Sequence, residues 1–206
     1  MNIWVLLHGI TLGFGMIIPI GAQNAYVLNQ GIKRQHYLTT ALTCGLMDFT
    51  FICIGIFGGG ALLSSSPLML EIITVLGIVF LSFYGLMSFR SMLTRHKTAE
   101  SVALNSEKVK KRITVVLGAL AVSVLNPHVY IDTIVILGSV GGQFQGIDRM
   151  SFAIGTIIAS FSWFFLLATA ASKLSTTLSK PRVQMGIDFL VGTIMLYIAF
   201  TLWLSL

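Results

Sequence analysis

Two stretches decide how this chain folds: Ile18-Pro19-Ile20-Gly21-Ala22-Gln23-Asn24 and Asn126-Pro127-His128-Val129-Tyr130-Ile131-Asp132. Each lies inside a long apolar run and sets a proline in the middle of it. Proline has no N–H to donate, and its ring clashes with the turn before it, so it breaks or kinks the helix it interrupts. Where such a run lies in lipid, the freed carbonyls and amides must find partners inside the protein. The usual solution is a discontinuous helix lining a polar cavity, whose ends can meet a substrate. One proline kink in an apolar helix is common and carries no function by itself. Two at matching positions, each followed by amide, hydroxyl or carboxylate groups, point to a site.

The composition around these stretches demands lipid. Of 206 residues, 55% are hydrophobic and only 10% charged, against about 25% charged in soluble domains. A soluble fold of this length could not hide so much apolar surface. A membrane-crossing helix needs about 20 mostly apolar residues. Six stretches qualify, at roughly 3–29, 38–63, 67–90, 113–139, 149–172 and 184–204. The expected fold is an all-α polytopic membrane protein of six transmembrane helices, with the first and fourth broken. A single transmembrane domain over 1–206 is expected. Ser64-Ser65-Ser66-Pro67 separates the second and third helices, and 91–112 is a polar loop or short amphipathic helix. Met1-Asn2 lacks the basic region of a cleaved signal, so the first segment is expected to be retained.

The net charge of +6 is a matter of orientation rather than of nucleic acid, since no aromatic and basic interleaving marks a nucleic-acid surface. Every basic residue but Arg149 falls in three loops: Lys33 and Arg34, the run from Arg90 to Arg112, and Lys173 to Arg182. Six crossings put these loops on one side. The positive-inside rule makes them cytoplasmic and both termini external. Five crossings would scatter the charges over both faces. Trp4 and Trp203 then fall near the outer interface, as an aromatic belt requires.

Residues 1–90 and 113–206 each carry three helices. Three is odd, so two related halves would have opposite orientation, as in many secondary transporters. Setting Pro19 on Pro127 places Asn24 on Asp132, and the second helices align on Gly45 and Gly155. Among the buried polar residues, Asp48 sits mid-membrane in the second helix, where a carboxylate costs about 2.5–3.5 kcal/mol on insertion scales. Such groups mark ion or substrate paths unless they serve a neighbouring broken helix. Asp132 and Asn24 could flank a central cavity from two directions. Gln23 and Asn126 can donate and accept hydrogen bonds at the breaks. Tyr130 can offer a hydroxyl or ring to a cation. Asp188 falls four residues into the expected sixth helix, where an acid could instead stabilise the helix N-terminus. His128 follows the second break, where interior hydrogen bonding is the commoner role. Pro19, Gly21 and Pro127 make the breaks themselves. Gly9 and Gly13, Gly55 and Gly59, and Gly138 and Gly142 have the spacing of close helix packing, which permits a homodimer without requiring one.

Pro19-Ile20-Gly21-Ala22-Gln23-Asn24, together with Leu125-Asn126-Pro127-His128-Val129-Tyr130-Ile131-Asp132-Thr133, resembles the LysE family of amino-acid exporters. The likeness extends over the whole chain in length, hydrophobic runs and basic central loop. Related exporters of neutral amino acids typically carry Pro-Gly-Pro and Asn-Pro-Lys at these places. Pro19-Ile20-Gly21 and Asn126-Pro127-His128 therefore resemble the branch for basic substrates. The resemblance implies export of L-arginine, with lysine and canavanine as further substrates.

Arginine is a permanent cation, and a buried carboxylate can hold its guanidinium bidentately. The chain has no G-x-x-x-x-G-K-[ST] loop, so an ion gradient rather than ATP is the expected energy source. Expelling one positive charge against a negative interior costs about 2.3 kcal/mol per 100 mV. Exchange for one inward proton cancels that term, so protons are the expected counter-substrate. Two other readings stay open: an exporter of neutral amino acids or a metal cation, and an intramembrane thiol-disulfide enzyme using Cys44 and Cys53. No metal-ligand spacing supports a metal site, no enzyme motif appears, and no cofactor is expected.

Overall fold

The computed structural model describes residues 1–19, 21–59, 67–98, 111–126 and 129–204. Among them every regular element is a helix: α1 (Ile3–Ile17), α2 (Ala22–Ile32), α3 (Tyr37–Ile54), α4 (Pro67–Thr98), α5 (Arg112–Val124), α6 (Tyr130–Gly142), α7 (Gly146–Lys173), the single turn α8 (Ser175–Leu178) and α9 (Pro181–Leu204). Asn2 caps α1 by accepting the Trp4 N–H at 3.2 Å. Pro19 cannot extend the helical ladder, so α1 stops at Ile17, α2 restarts at Ala22, and the two axes meet at 80°. The second run is divided in the same way, with α5 ending at Val124 and α6 opening as a π-helix over Tyr130–Ile136. Pro127 and His128 lie outside the described residues.

The chain is a multi-pass membrane protein. Tyr37–Gly58, Thr74–Thr94, Gly146–Lys173 and Pro181–Leu204 are long and apolar enough to cross a membrane, and α1 with α2 makes a fifth span if the bent pair is one crossing. The run expected as a fourth helix is two shorter apolar pieces, Arg112–Val124 and Tyr130–Gly142. Several boundaries differ from the hydropathy reading, and two of them bear on the site. Helix α4 continues to Thr98, so the polar stretch 91–112 begins as helix, and α9 begins at Pro181 rather than 184. Proline suits the first helical position, where its missing N–H has no partner to lose.

The helices are apolar outside and small or polar inside. On α3, Leu38, Leu42, Leu46 and Phe49 face outward, while Thr40, Ala41, Cys44, Gly45 and Asp48 are buried. The bundle is held by three packings: α1 on α7, α4 on α9, and α3 between α5 and α7. Close approach depends on glycine. A Cβ on Gly9 would run into the Phe152 carbonyl oxygen, and one on Gly155 into the Leu6 carbonyl oxygen. Gly85 and Gly192 mark the α4–α9 crossing, where a Cβ on either would sit 3.2 Å from the other's carbonyl oxygen. Glycine lets backbones meet at these points, the main device for helix association in a bilayer.

Candidate functional site

The two breaks face one another across a cavity of about 120 Å³. Its walls take Pro19, Gly21, Gln23 and Asn24 from the first broken run, Asn126, Asp132 and Thr133 from the second, and Asp48 from α3. The approach is close: a Cβ built on Gly21 would lie 3.7 Å from Asn126 Nδ2. Residues about a hundred positions apart thus bring their polar groups to one chamber, whose remaining walls include Met16, Leu81, Phe164 and Ile198.

Asp48 is only 4% exposed. Its carboxylate accepts the Gln23 amide, Nε2 to Oδ1 at 3.1 Å, and the Ser160 hydroxyl, Oγ to Oδ2 at 2.8 Å. Both oxygens are thereby fixed in direction by α2 and α7, as a buried carboxylate requires. Asp132, in the first turn of α6, is half-buried at the opposite motif.

Asn24 and Tyr130 hold the breaks. Asn24 Nδ2 donates to the carbonyls of Ile17 and Pro19, both at 2.8 Å, and Asn24 Oδ1 accepts the Trp163 indole N–H at 3.1 Å. The side chain returns partners to carbonyls that the end of α1 leaves without helical N–H donors. In the second half the Tyr130 hydroxyl donates to the carbonyl of Val124, the last residue of α5, at 2.7 Å, and its ring tilts on Phe51 at 5.2 Å. Tyr130 therefore grips the broken backbone, and the cavity walls are built from its neighbours. Replacing Asn24 with Ala should strand the two carbonyls and the indole N–H, each costing about 1–3 kcal/mol when buried. We expect the Tm in detergent to fall by about 5–10 °C; an unchanged Tm would remove Asn24 from this role.

Asp188 is not brought to the chamber. Because α9 starts at Pro181, Asp188 lies beyond its first turn, so stabilisation of the helix N-terminus does not account for it. It lines a second cavity between α2, α4 and α9, where Oδ2 accepts the Ser91 hydroxyl at 3.0 Å and its backbone carbonyl accepts the Ser88 hydroxyl at 2.9 Å. Ser160 and Trp163 are parts of the site that the sequence reading missed. The signal in the sequence was Thr156 and Ser160, one helical turn apart on α7, and the structure buries both fully.

Discontinuous helices meeting at a polar chamber within an apolar bundle are the architecture of a membrane translocator. The family model described as "LysE type translocator" matches residues 14–206, and the chain belongs to that family. It is 48% identical over 200 residues to the arginine exporter protein ArgO of Pectobacterium carotovorum subsp. carotovorum, covering 96% of each chain. It is 46% identical over 198 residues to ArgO of Yersinia enterocolitica, covering 96% of this chain and 95% of the relative. The ArgO of Shigella flexneri is 45% identical over 197 residues, covering 95% and 91%. No solved structure matches the chain. The protein is thus an amino-acid exporter and not an enzyme. Both cysteines are free, and Cys44 is fully buried.

Proposed function

We propose that this chain exports L-arginine, and lysine or canavanine with it, across the bacterial inner membrane in exchange for protons. The observation that carries the reading is the pair Asp48 and Asp132 on the walls of one chamber between two broken helices. Two carboxylates suit a guanidinium, which is always charged and binds carboxylate bidentately. The first turns of α2 and α6 also open near the chamber. The N–H groups of a helix's first turn suit the substrate's own carboxylate. In this scheme Asp48 or Asp132 binds either a proton or the cation, so the two compete and their movements are coupled. Gln23 and Asn126 orient the chamber, and Pro19, Gly21 and Pro127 place the breaks at the moving interface.

We further propose six crossings arranged as two inverted three-helix halves that rock to alternate access, with both termini periplasmic and the basic loops cytoplasmic. The packing supports this arrangement: α1 lies on α7 as α5 lies on α3, while α4 and α9 pair with each other. Each break is gripped by a side chain from its own half, Asn24 in one and Tyr130 in the other. The test is efflux from proteoliposomes loaded with labelled arginine under an inward proton gradient, with lysine, leucine and cadmium as internal competitors. We expect gradient-stimulated arginine efflux, inhibited by lysine more than by leucine or cadmium. Correctly inserted protein that moves leucine or cadmium but no arginine would overturn the basic-substrate reading.

A further inference from the structure

The second cavity is larger than the chamber, about 270 Å³ against 120 Å³. The two are stacked along one groove between the same three helices. Ala22 on α2, Leu81 on α4 and Ile198 on α9 face the chamber; Ala25, Tyr84 and Val191 on those helices face the second cavity. Between them Ala25, Leu81, Val191 and Met195 are all buried in one apolar cluster. On α2 the two linings adjoin at Asn24 and Ala25, on α4 the step from Leu81 to Tyr84 is three residues, about 4.5 Å of helix, and on α9 the step from Val191 to Ile198 is seven, about 10 Å. The floor of the second cavity, toward the chamber, is therefore made of these apolar side chains.

The polar groups of this cavity differ in kind from those of the chamber. Among the described residues the chamber has two carboxylates and no cationic side chain on its walls, whereas the second cavity has Asp188 from α9 and Lys33 from the end of α2. The hydroxyls of Ser88 and Ser91 fix Asp188 on the α4 side, and the amides of Asn29 and Gln184 complete the polar lining. A basic amino acid is a zwitterion with an additional cation. It needs a carboxylate for its side chain, a cation for its α-carboxylate and amide oxygens for its α-ammonium, and all three are present.

We infer that this cavity is a second substrate subsite, a staging site that receives the whole basic amino acid, Asp188 taking the side-chain cation and Lys33 the α-carboxylate, before the apolar floor parts and passes it to the chamber. The inference rests on the reading of the chain as a basic amino-acid exporter. A staging site governs capture, so its loss raises KM and leaves the maximal rate to the chamber.

The experiment compares wild type with Asp188→Asn and Lys33→Met in arginine-loaded proteoliposomes, over a range of internal arginine and at matched levels of monodisperse protein. Agmatine, which is arginine without its carboxylate, is run in parallel. We expect both variants to raise the apparent KM for arginine at least tenfold with Vmax within twofold. Lys33→Met should leave agmatine kinetics at the wild-type value, Asp188→Asn should weaken both substrates, and Asp188→Glu and Lys33→Arg should restore much of the loss. Unchanged KM in both variants, or equal effects of Lys33→Met on arginine and agmatine, would overturn the subsite while leaving the exporter reading intact. A wild type that moves no arginine would overturn the exporter reading and this subsite with it.

Discussion

Asp48→Asn should abolish arginine export, by at least about a hundredfold, while the protein still reaches the membrane at wild-type levels. The two effects separate because of how the carboxylate is held. Asn has nearly the same shape, and one oxygen can still accept a hydrogen bond. Its new NH₂ can be received by a flipped Gln23 amide or a rotated Ser160 hydroxyl, the two groups now donating to Asp48. The packing of α2, α3 and α7 is therefore retained, and a buried charge is removed. What is lost is the anion that would face a guanidinium or take up a proton. Truncating one member of a buried charge pair costs roughly 2–5 kcal/mol, about 30- to several thousandfold in rate or affinity. Asp132→Asn should give the same loss if both carboxylates serve the chamber. The check is labelled-arginine efflux beside quantified membrane protein. Wild-type export by both variants would remove the carboxylates from the mechanism.

What the sequence disclosed, and what it hid, follows from the physics of each signal. The broken first helix was legible because proline acts locally: Pro19 ends α1 whatever surrounds it. Asp48 was legible because an acid in an apolar run has few bland explanations. Helix ends were less so. Hydropathy reports where lipid begins, whereas helices run on into polar water, as α4 does to Thr98 and α9 does from Pro181. That offset is why N-terminal stabilisation weighed as much as a binding role for Asp188, which stands on the wall of a second cavity. The division of labour between Gln23 and Asn24 was hidden for another reason. Adjacent helix residues point about 100° apart, so one could turn to Asp48 and the other to the carbonyls of α1. Which did which depended on where α3 and α7 pack. Tyr130 is a similar case, since a phenol can serve a cation or a carbonyl and only the fold selects the carbonyl of Val124.

Gly155→Leu should remove the folded protein altogether. The α1–α7 crossing brings backbone against backbone: the position of a Cβ on Gly155 is occupied by the Leu6 carbonyl oxygen, with the Ile10 nitrogen 3.0 Å away. Neither atom belongs to a flexible side chain that could turn aside, so α1 must move off α7 as a whole. The consequences spread along the seam. Gly9 has the same contact with the Phe152 carbonyl, Gly13 lies 2.9 Å in Cβ terms from the Ala159 side chain, and the Thr156 hydroxyl reaches the Gly9 carbonyl at 3.3 Å. Overpacking typically costs about 1–3 kcal/mol even where side chains can adjust. Here a rigid helix pair has to separate, and close van der Waals contact is the chief force holding transmembrane helices together. Gly186, on α9, is the control, because a Cβ there meets nothing within 4 Å and Gly186→Leu removes a helix-weakening glycine. Membrane extracts examined by fluorescence-detected size exclusion should show Gly186→Leu as a single wild-type peak and Gly155→Leu as aggregate or no protein. A monodisperse, exporting Gly155→Leu would mean that the α1–α7 seam is not part of the working fold. The break at Pro19 would then lack the fixed helix against which it is positioned.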